Sequence, residues 1–255
     1  MNRWLEKSSW GLVVGCRVFG AHLTAALFPK RCLACRSILT ANGINPMCFV
    51  CRQSLLPIRV PYCVQCGLPF ENQSPEIQRT CGDCTAHPPQ FESARSAFVY
   101  GEAVRSAVVH LKSAGNVRHA RELVMLAQTA GVVPDWSDAD AILPIPYFRK
   151  RLKQRGFAPT VMIADALAGP WKTKVLNQIL FRVKETEPQR GKSAAGRRKN
   201  VRGAFEARPD VSGMSVILVD DVMTTGATLD AAAQSLRAAG AKSIRCYTLA
   251  RALLS

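Results

Sequence analysis

Residues 216–228 read VILVDDVMTTGAT, and no other stretch of the chain restricts its fold as tightly. Val216, Ile217, Leu218 and Val219 form a continuous apolar run, three of the four β-branched. Such a run fits a strand buried on both faces, as in a parallel sheet covered by helices. Asp220 and Asp221, placed one residue beyond this strand, then stand at the carboxyl edge, where open α/β sheets bind ligands. Thr224, Thr225, Gly226 and Thr228 lead into a helix expected over 227–239, stopped by Gly240. Free backbone N–H groups, the helix dipole and three hydroxyls make a cradle for a phosphate group. The two acids are placed to accept hydrogen bonds from an attached sugar.

The remaining pattern agrees with an α/β chain. Strands are expected at 91–100, 140–145, 176–183 and 243–249, and helices at 103–111, 118–129 and 158–168. Gly115 and Asn116 separate the first two helices, and Pro159 is tolerable because it falls in a first turn. The polar, basic stretch 184–200 is expected to be a mobile loop. Strands alternating with helices argue a parallel sheet flanked by helices.

Eight of the ten cysteines fall into four C-x-x-C pairs: Cys32/Cys35, Cys48/Cys51, Cys63/Cys66 and Cys81/Cys84. Two such turns complete a tetrahedral thiolate site, so the spacing predicts two structural Zn²⁺ ions with no open coordination position. Sequential and cross-braced pairing both satisfy the spacing. His87 is superfluous to either set, and Cys16 and Cys246 read as small buried apolar residues. A chain of 255 residues has no need of a disulfide framework, so thiolates point to a reducing, cytoplasmic setting. The expected organisation is an N-terminal amphipathic helix (1–29), a double zinc ribbon (30–90) and an α/β domain (91–255). The apolar stretch 10–28 is interrupted by Arg17 and His22, which argues against both a signal peptide and a transmembrane segment.

The formal net charge is +16, and residues 147–202 hold 15 basic residues against 3 acids. An excess of this size predicts an anionic partner. Gly191, Lys192 and Ser193 do not make a Walker A loop, because Thr186 stands where the leading glycine belongs and no strand precedes it.

The 216–228 string resembles, position for position, the phosphoribosyl-pyrophosphate (PRPP) signature of type I phosphoribosyltransferases. The resemblance implies that Asp220 and Asp221 contact the ribose hydroxyls. It implies also that Met223, Thr224, Thr225, Gly226, Ala227 and Thr228 hold the 5′-phosphate, with Mg²⁺ accompanying PRPP. Purine-salvage members carry an acid where this chain has Thr224, which argues against a 6-oxopurine acceptor. Further motifs narrow the likeness: Leu111-Lys112 with Gly115, Pro144-Ile145-Pro146, Arg155-Gly156-Phe157, Thr186 with Gln189, Arg198, Asn200, Phe205 and Ala250-Arg251. Together with the cysteine-rich head they resemble the ComF family of phosphoribosyltransferase-like proteins over most of the chain. One departure stands out, since Ala158-Pro159 replaces that family's usual Asn-Gln.

Within this resemblance Lys112, Arg149, Arg155, Arg197 and Arg198 become candidates for pyrophosphate or another anion, and 184–200 takes the place of a catalytic lid. The implied partners are PRPP or a related phosphoribosyl ligand, single-stranded DNA, and DNA-uptake or recombination proteins. Three functions compete: a PRPP-binding protein handling single-stranded DNA in natural transformation, a phosphoribosyltransferase acting on an unidentified acceptor, and a PRPP-sensing regulator. No recognition helix supports the third.

Overall fold

A computed structural model describes residues 29–39, 45–70, 79–186 and 194–253. The helix expected over 1–29 lies outside the described residues except for Pro29, as does Cys16. Two short helices, α1 (Phe49–Gln53) and α2 (Gly82–Ala86), belong to the cysteine-rich head. Then follow β1 (Ser93–Val99), α3 (Glu102–Ala114), α4 (Val117–Thr129), β2 (Ala141–Pro144), α5 (Arg149–Arg155) and α6 (Pro159–Trp171). The chain continues through β3 (Leu180–Arg182), α7 (Ala194–Val201), β4 (Phe205–Ala207), β5 (Ser215–Met223), α8 (Ala227–Ala238) and β6 (Ser243–Arg251).

The main sheet has the order β1-β6-β5-β2 and is parallel at every junction. Side chains of a strand alternate between faces, and β5 shows why its sequence reads as unbroken apolar. Ile217 and Val219 enter a core with α3, α4 and α6, while Val216 and Leu218 enter a second core with α8 and β4. Each fully buried aliphatic side chain of this kind contributes about 2 kcal/mol. The cysteine-rich head joins both cores: Leu33 and Met47 reach the first, Cys63 and Cys84 the second. The outer edge of β1 is closed by the head, through Ile58 N–H to Ala97 O (2.9 Å) and Val99 N–H to Leu56 O (2.9 Å). An edge covered in this way is not left open to stray strand pairing.

Three expectations are corrected here. The apolar run 176–183 is not one strand. Leu176 still donates to Ile142 O (2.9 Å), but Asn177 and Gln178 interrupt the run, and β3 leaves the main sheet to pair antiparallel with β4. The expected loop 184–200 contains α7, because alanines, arginines and a lysine favour helix even without an apolar stripe. For the same reason α5, with five basic residues and none buried, had no signature in hydrophobic periodicity. Thirdly, Asp220 and Asp221 lie inside β5. The neighbouring strand β6 runs on to Arg251, pairs Thr248 with Asp220, and so carries the ladder past both acids.

Candidate functional site

The carboxyl end of β5, Tyr100 just past β1, the start of α8 and residues of α3, α5 and α7 enclose a cleft of about 580 Å³. Gly226 turns the chain into α8 with φ +82°, and a Cβ there would approach Met223 Cε to 2.6 Å. The positive φ therefore calls for glycine, while the contact is with the far end of a flexible side chain that can move aside. Thr225 Oγ1 accepts from Ala227 N–H (3.4 Å), while Thr224, Gly226, Ala227 and Thr228 line the cleft with Met223.

Asp221 is buried, and its Oδ1 lies 2.7 Å from Lys112 Nζ. Its Oδ2 accepts from the Tyr147 hydroxyl at 3.1 Å. Both oxygens of this carboxylate are thus held by protein groups. Asp220 accepts the Asp221 N–H at 2.8 Å. Burial first, and the adjacent Asp221 second, push the Asp220 carboxyl up to about 7. The pair is thus two acids of unlike character, one held by a cation and one able to take a proton near neutrality.

Of the cations picked from sequence, Lys112, Arg155 and Arg197 line this cleft. Arg155 lies over the Tyr147 ring with its Cζ 5.3 Å from the centroid. Its Nη1, and the Nε and Nη1 of Arg197, are buried without a hydrogen-bond partner. Buried guanidinium N–H groups left in this state are donors waiting for an acceptor. Arg149 lies on the exposed start of α5 outside the cleft, and Arg198 turns away to Asp83 (3.4 Å). Two cations were missed from sequence. Arg151 shares the cleft-facing side of α5 with Arg155, and this i, i+4 spacing was the available signal. Arg182, over the Phe205 ring at 5.4 Å and bonded to Thr186 Oγ1, feels the Asp220 charge; nothing in its sequence surroundings marks it.

The cysteines form two tetrads, Cys32/Cys35/Cys48/Cys51 and Cys63/Cys66/Cys81/Cys84, with all Sγ atoms of each within 4.8 Å of one another. A zinc–thiolate tetrahedron with bonds of about 2.3 Å has edges of about 3.8 Å. The Cys35–Cys48 and Cys66–Cys81 sulfurs are 3.7 and 3.6 Å apart. Backbone N–H groups support the cages, with Cys48 donating to Cys32 Sγ and both Cys66 and Cys81 donating to Cys63 Sγ. Pairing is therefore sequential. His87 belongs to neither tetrad, and Cys246 is fully buried in the core.

Residues 23–85 match the double zinc ribbon domain family, and residues 153–253 match the phosphoribosyl transferase domain family. Over 232 residues the chain is 30% identical to competence protein F of Haemophilus influenzae, covering 88% of this chain and 98% of that protein. The chain belongs to the competence protein F family. Another relative is the DNA utilization protein YhgH of Salmonella typhi, 30% identical over 232 residues, covering 88% of this chain and 98% of that protein. Competence protein ComFC of Bacillus subtilis is 26% identical over 228 residues, covering 85% of this chain and 88% of that one. Among solved structures, a glutamine PRPP amidotransferase from Bacillus subtilis aligns over 51% of this chain and 26% of its own. That alignment has 24% identity and a TM-score of 0.33, too distant to carry an argument. This chain thus unites two halves, a double zinc ribbon and a phosphoribosyltransferase-like sheet. No described helix is long and apolar enough to cross a membrane.

Proposed function

We propose that this family member binds PRPP, with Mg²⁺, in the cleft between β5 and α8, and that it serves DNA handling during competence. The observation that carries the reading is the pairing of two strand acids with buried, unpartnered Arg155 and Arg197 N–H groups around one glycine-turned loop. In this reading residues 223–228 hold the 5′-phosphate, and Asp220 and Asp221 accept the ribose hydroxyls. Lys112, Arg155 and Arg197 take the pyrophosphate, whose charge Mg²⁺ would offset. Lys112 would exchange Asp221 for a phosphate oxygen as the ligand enters. Calorimetric titration with Mg²⁺–PRPP tests this reading. Binding should weaken by about 2–4 kcal/mol when Asp220→Asn and Asp221→Asn are combined, since two charge-assisted hydrogen bonds are lost. Undiminished affinity in the folded double variant would refute the assignment.

The DNA part rests on the relatives' names and on α5, whose sequence RKRLKQR leaves no residue buried. A basic face of that kind meets phosphates without reading bases. If about five phosphates are contacted, log K for a short single-stranded oligonucleotide should fall with log salt at a slope of roughly −3.5. Arg149→Gln with Lys153→Gln should flatten the slope by about 1.4. A wild-type slope near zero would exclude electrostatic DNA binding. The division into head and α/β domain near residue 90 is part of the same proposal, the head bearing zinc and the domain bearing the ligand.

A further inference from the structure

The 223–228 loop is held from behind by the second cysteine tetrad. Met223, Thr224, Gly226 and Ala227 line the cleft and also a second pocket of about 340 Å³, which that tetrad closes on the far side. In this pocket Arg198 and Arg251 balance Asp83 and Asp230. Arg251 lines the pocket and not the cleft, so it stands behind the loop rather than against its ligand.

Arg251 ends β6 and is only 5% exposed. Its Nη1 donates to Cys66 O at 3.1 Å and its Nη2 to Cys66 Sγ at 3.5 Å. Among the described residues it makes no ion pair with a carboxylate. A cation buried without a counter-charge is strongly destabilising. Four thiolates around one Zn²⁺ carry a net negative charge, and the loaded tetrad is the group beside Arg251 able to supply it. Without the ion the sulfurs take up protons, and that charge is gone.

The same arginine is built into the loop's backbone. It stands opposite Met223 in the β5–β6 ladder, and the next residue, Ala252, donates its N–H to Met223 O at 2.9 Å. Met223 in turn lays its Cε against Gly226, where the chain turns into α8. The first tetrad meets the α/β body elsewhere, at α3, where His110 Nδ1 lies 2.8 Å from Leu33 O.

We propose that Arg251 is a positioning residue through which zinc in the second tetrad, and not in the first, holds the 223–228 loop in its ligand-binding form. The inference rests on the phosphoribosyl reading, because the loop's ligand reports the effect. Linkage then works in both directions. Whatever factor the second zinc adds to ligand affinity, the ligand adds to the hold on that zinc.

The test titrates the full zinc-loaded chain with a chelating dye at constant Mg²⁺, with and without saturating PRPP, and counts the zinc retained. PRPP should tighten one of the two ions by about fivefold or more and leave the other within about twofold. Cadmium-113 NMR of the cadmium-substituted chain, each signal assigned through its cysteine Hβ protons, identifies the ion. The Cys63/Cys66/Cys81/Cys84 signal should move on addition of Mg²⁺–PRPP, and the other should stay. Arg251→Gln should abolish this selectivity and weaken Mg²⁺–PRPP binding by about fivefold or more, whereas Arg251→Lys, which keeps the charge, should restore part of both. An arginine that merely keeps the head in place predicts equal protection of both ions. The inference is therefore overturned if PRPP binds yet tightens both ions alike or neither, or if a folded Arg251→Gln chain behaves as the wild type does. Should neither variant fold, the two wild-type measurements decide. Failure of the wild type to bind Mg²⁺–PRPP is a different result, which sinks the phosphoribosyl reading and this inference with it.

Discussion

Replacing Lys112 by methionine should destabilise the ligand-free protein in a way that depends on pH. The methionine keeps most of the apolar stem but removes the ammonium 2.7 Å from Asp221 Oδ1. Removing one partner of a fully buried ion pair costs about 3–5 kcal/mol. Here the Lys112 side chain is 31% exposed against 8% for Asp221, and Tyr147 still donates to the other oxygen. Solvent screening at the lysine end brings the expected loss to about 2 kcal/mol. For a chain of this size that is a fall in Tm of about 4–8 °C.

The sign with pH follows from the neighbouring acid. In the wild type the Asp220 carboxyl is already pushed up to about 7. Without Lys112 the Asp220 carboxyl keeps its proton to still higher pH, because one of the two cations that offset the repulsion from Asp221 is gone. Between the ordinary carboxylate range and that raised value the folded state binds more protons than the unfolded one, so stability falls as pH rises. Protonation relieves the variant at about pH 6 and no longer does so at about pH 8, so its Tm deficit should be larger at the higher pH. Differential scanning calorimetry of both proteins in matched buffers measures this. An equal deficit at the two pH values would refute the electrostatic account and reduce Lys112 to a packing residue.

Other outcomes are expected. Asp220→Asn should be more stable than the wild type above about pH 7, because it removes a buried carboxyl that loses its proton there, yet it should bind Mg²⁺–PRPP more weakly; a variant less stable at that pH would contradict the burial argument. Elemental analysis should find two zinc ions per chain, unchanged in Cys246→Ser, and a chelator should unfold the head while the metal is withdrawn. Gly115→Ala should cost about 1–3 kcal/mol, since φ is +58° and a Cβ would sit 2.5 Å from Phe157 Cδ1. Phe157→Leu in the same chain should recover part of that loss in a double-mutant cycle, and strict additivity would show that the ring is not the cause.

Sequence made one half of the site legible and concealed the other for identifiable reasons. The apolar run before Asp220, the glycine turn and the helix after it are local, so periodicity and turn chemistry expose them. The C-x-x-C turns are local as well, but the partner of each turn is not, and only the folded head shows that Cys32/Cys35 meets Cys48/Cys51. Helices α5 and α7 escaped because hydrophobic patterning registers burial, and neither helix buries a continuous stripe. The end of β5 was misplaced because two acids interrupt an apolar run, whereas ladder bonding depends on how far β6 extends. Lys112 and Asp221 lie 109 residues apart, and no local pattern can announce that they form an ion pair.

In the proposed reading the 223–228 loop does more than bind. It is a thin wall of five or so residues between a cleft rich in cations and a pocket of balanced charge, and both sides press on Met223, Thr224, Gly226 and Ala227. Groups reaching that wall come from the zinc ribbon, α3, α5, α7 and the end of β6. Arg198 is the clearest case, because it spans from α7 to Asp83 of the second ribbon. Its neighbour Arg197 faces the cleft with unpaired N–H groups. A ligand that draws Arg197 inward must act on the same helix that Arg198 anchors to the ribbon. Through Arg197 and Arg198, α7 thus borders both the cleft and the second pocket and is tied to the ribbon at Asp83.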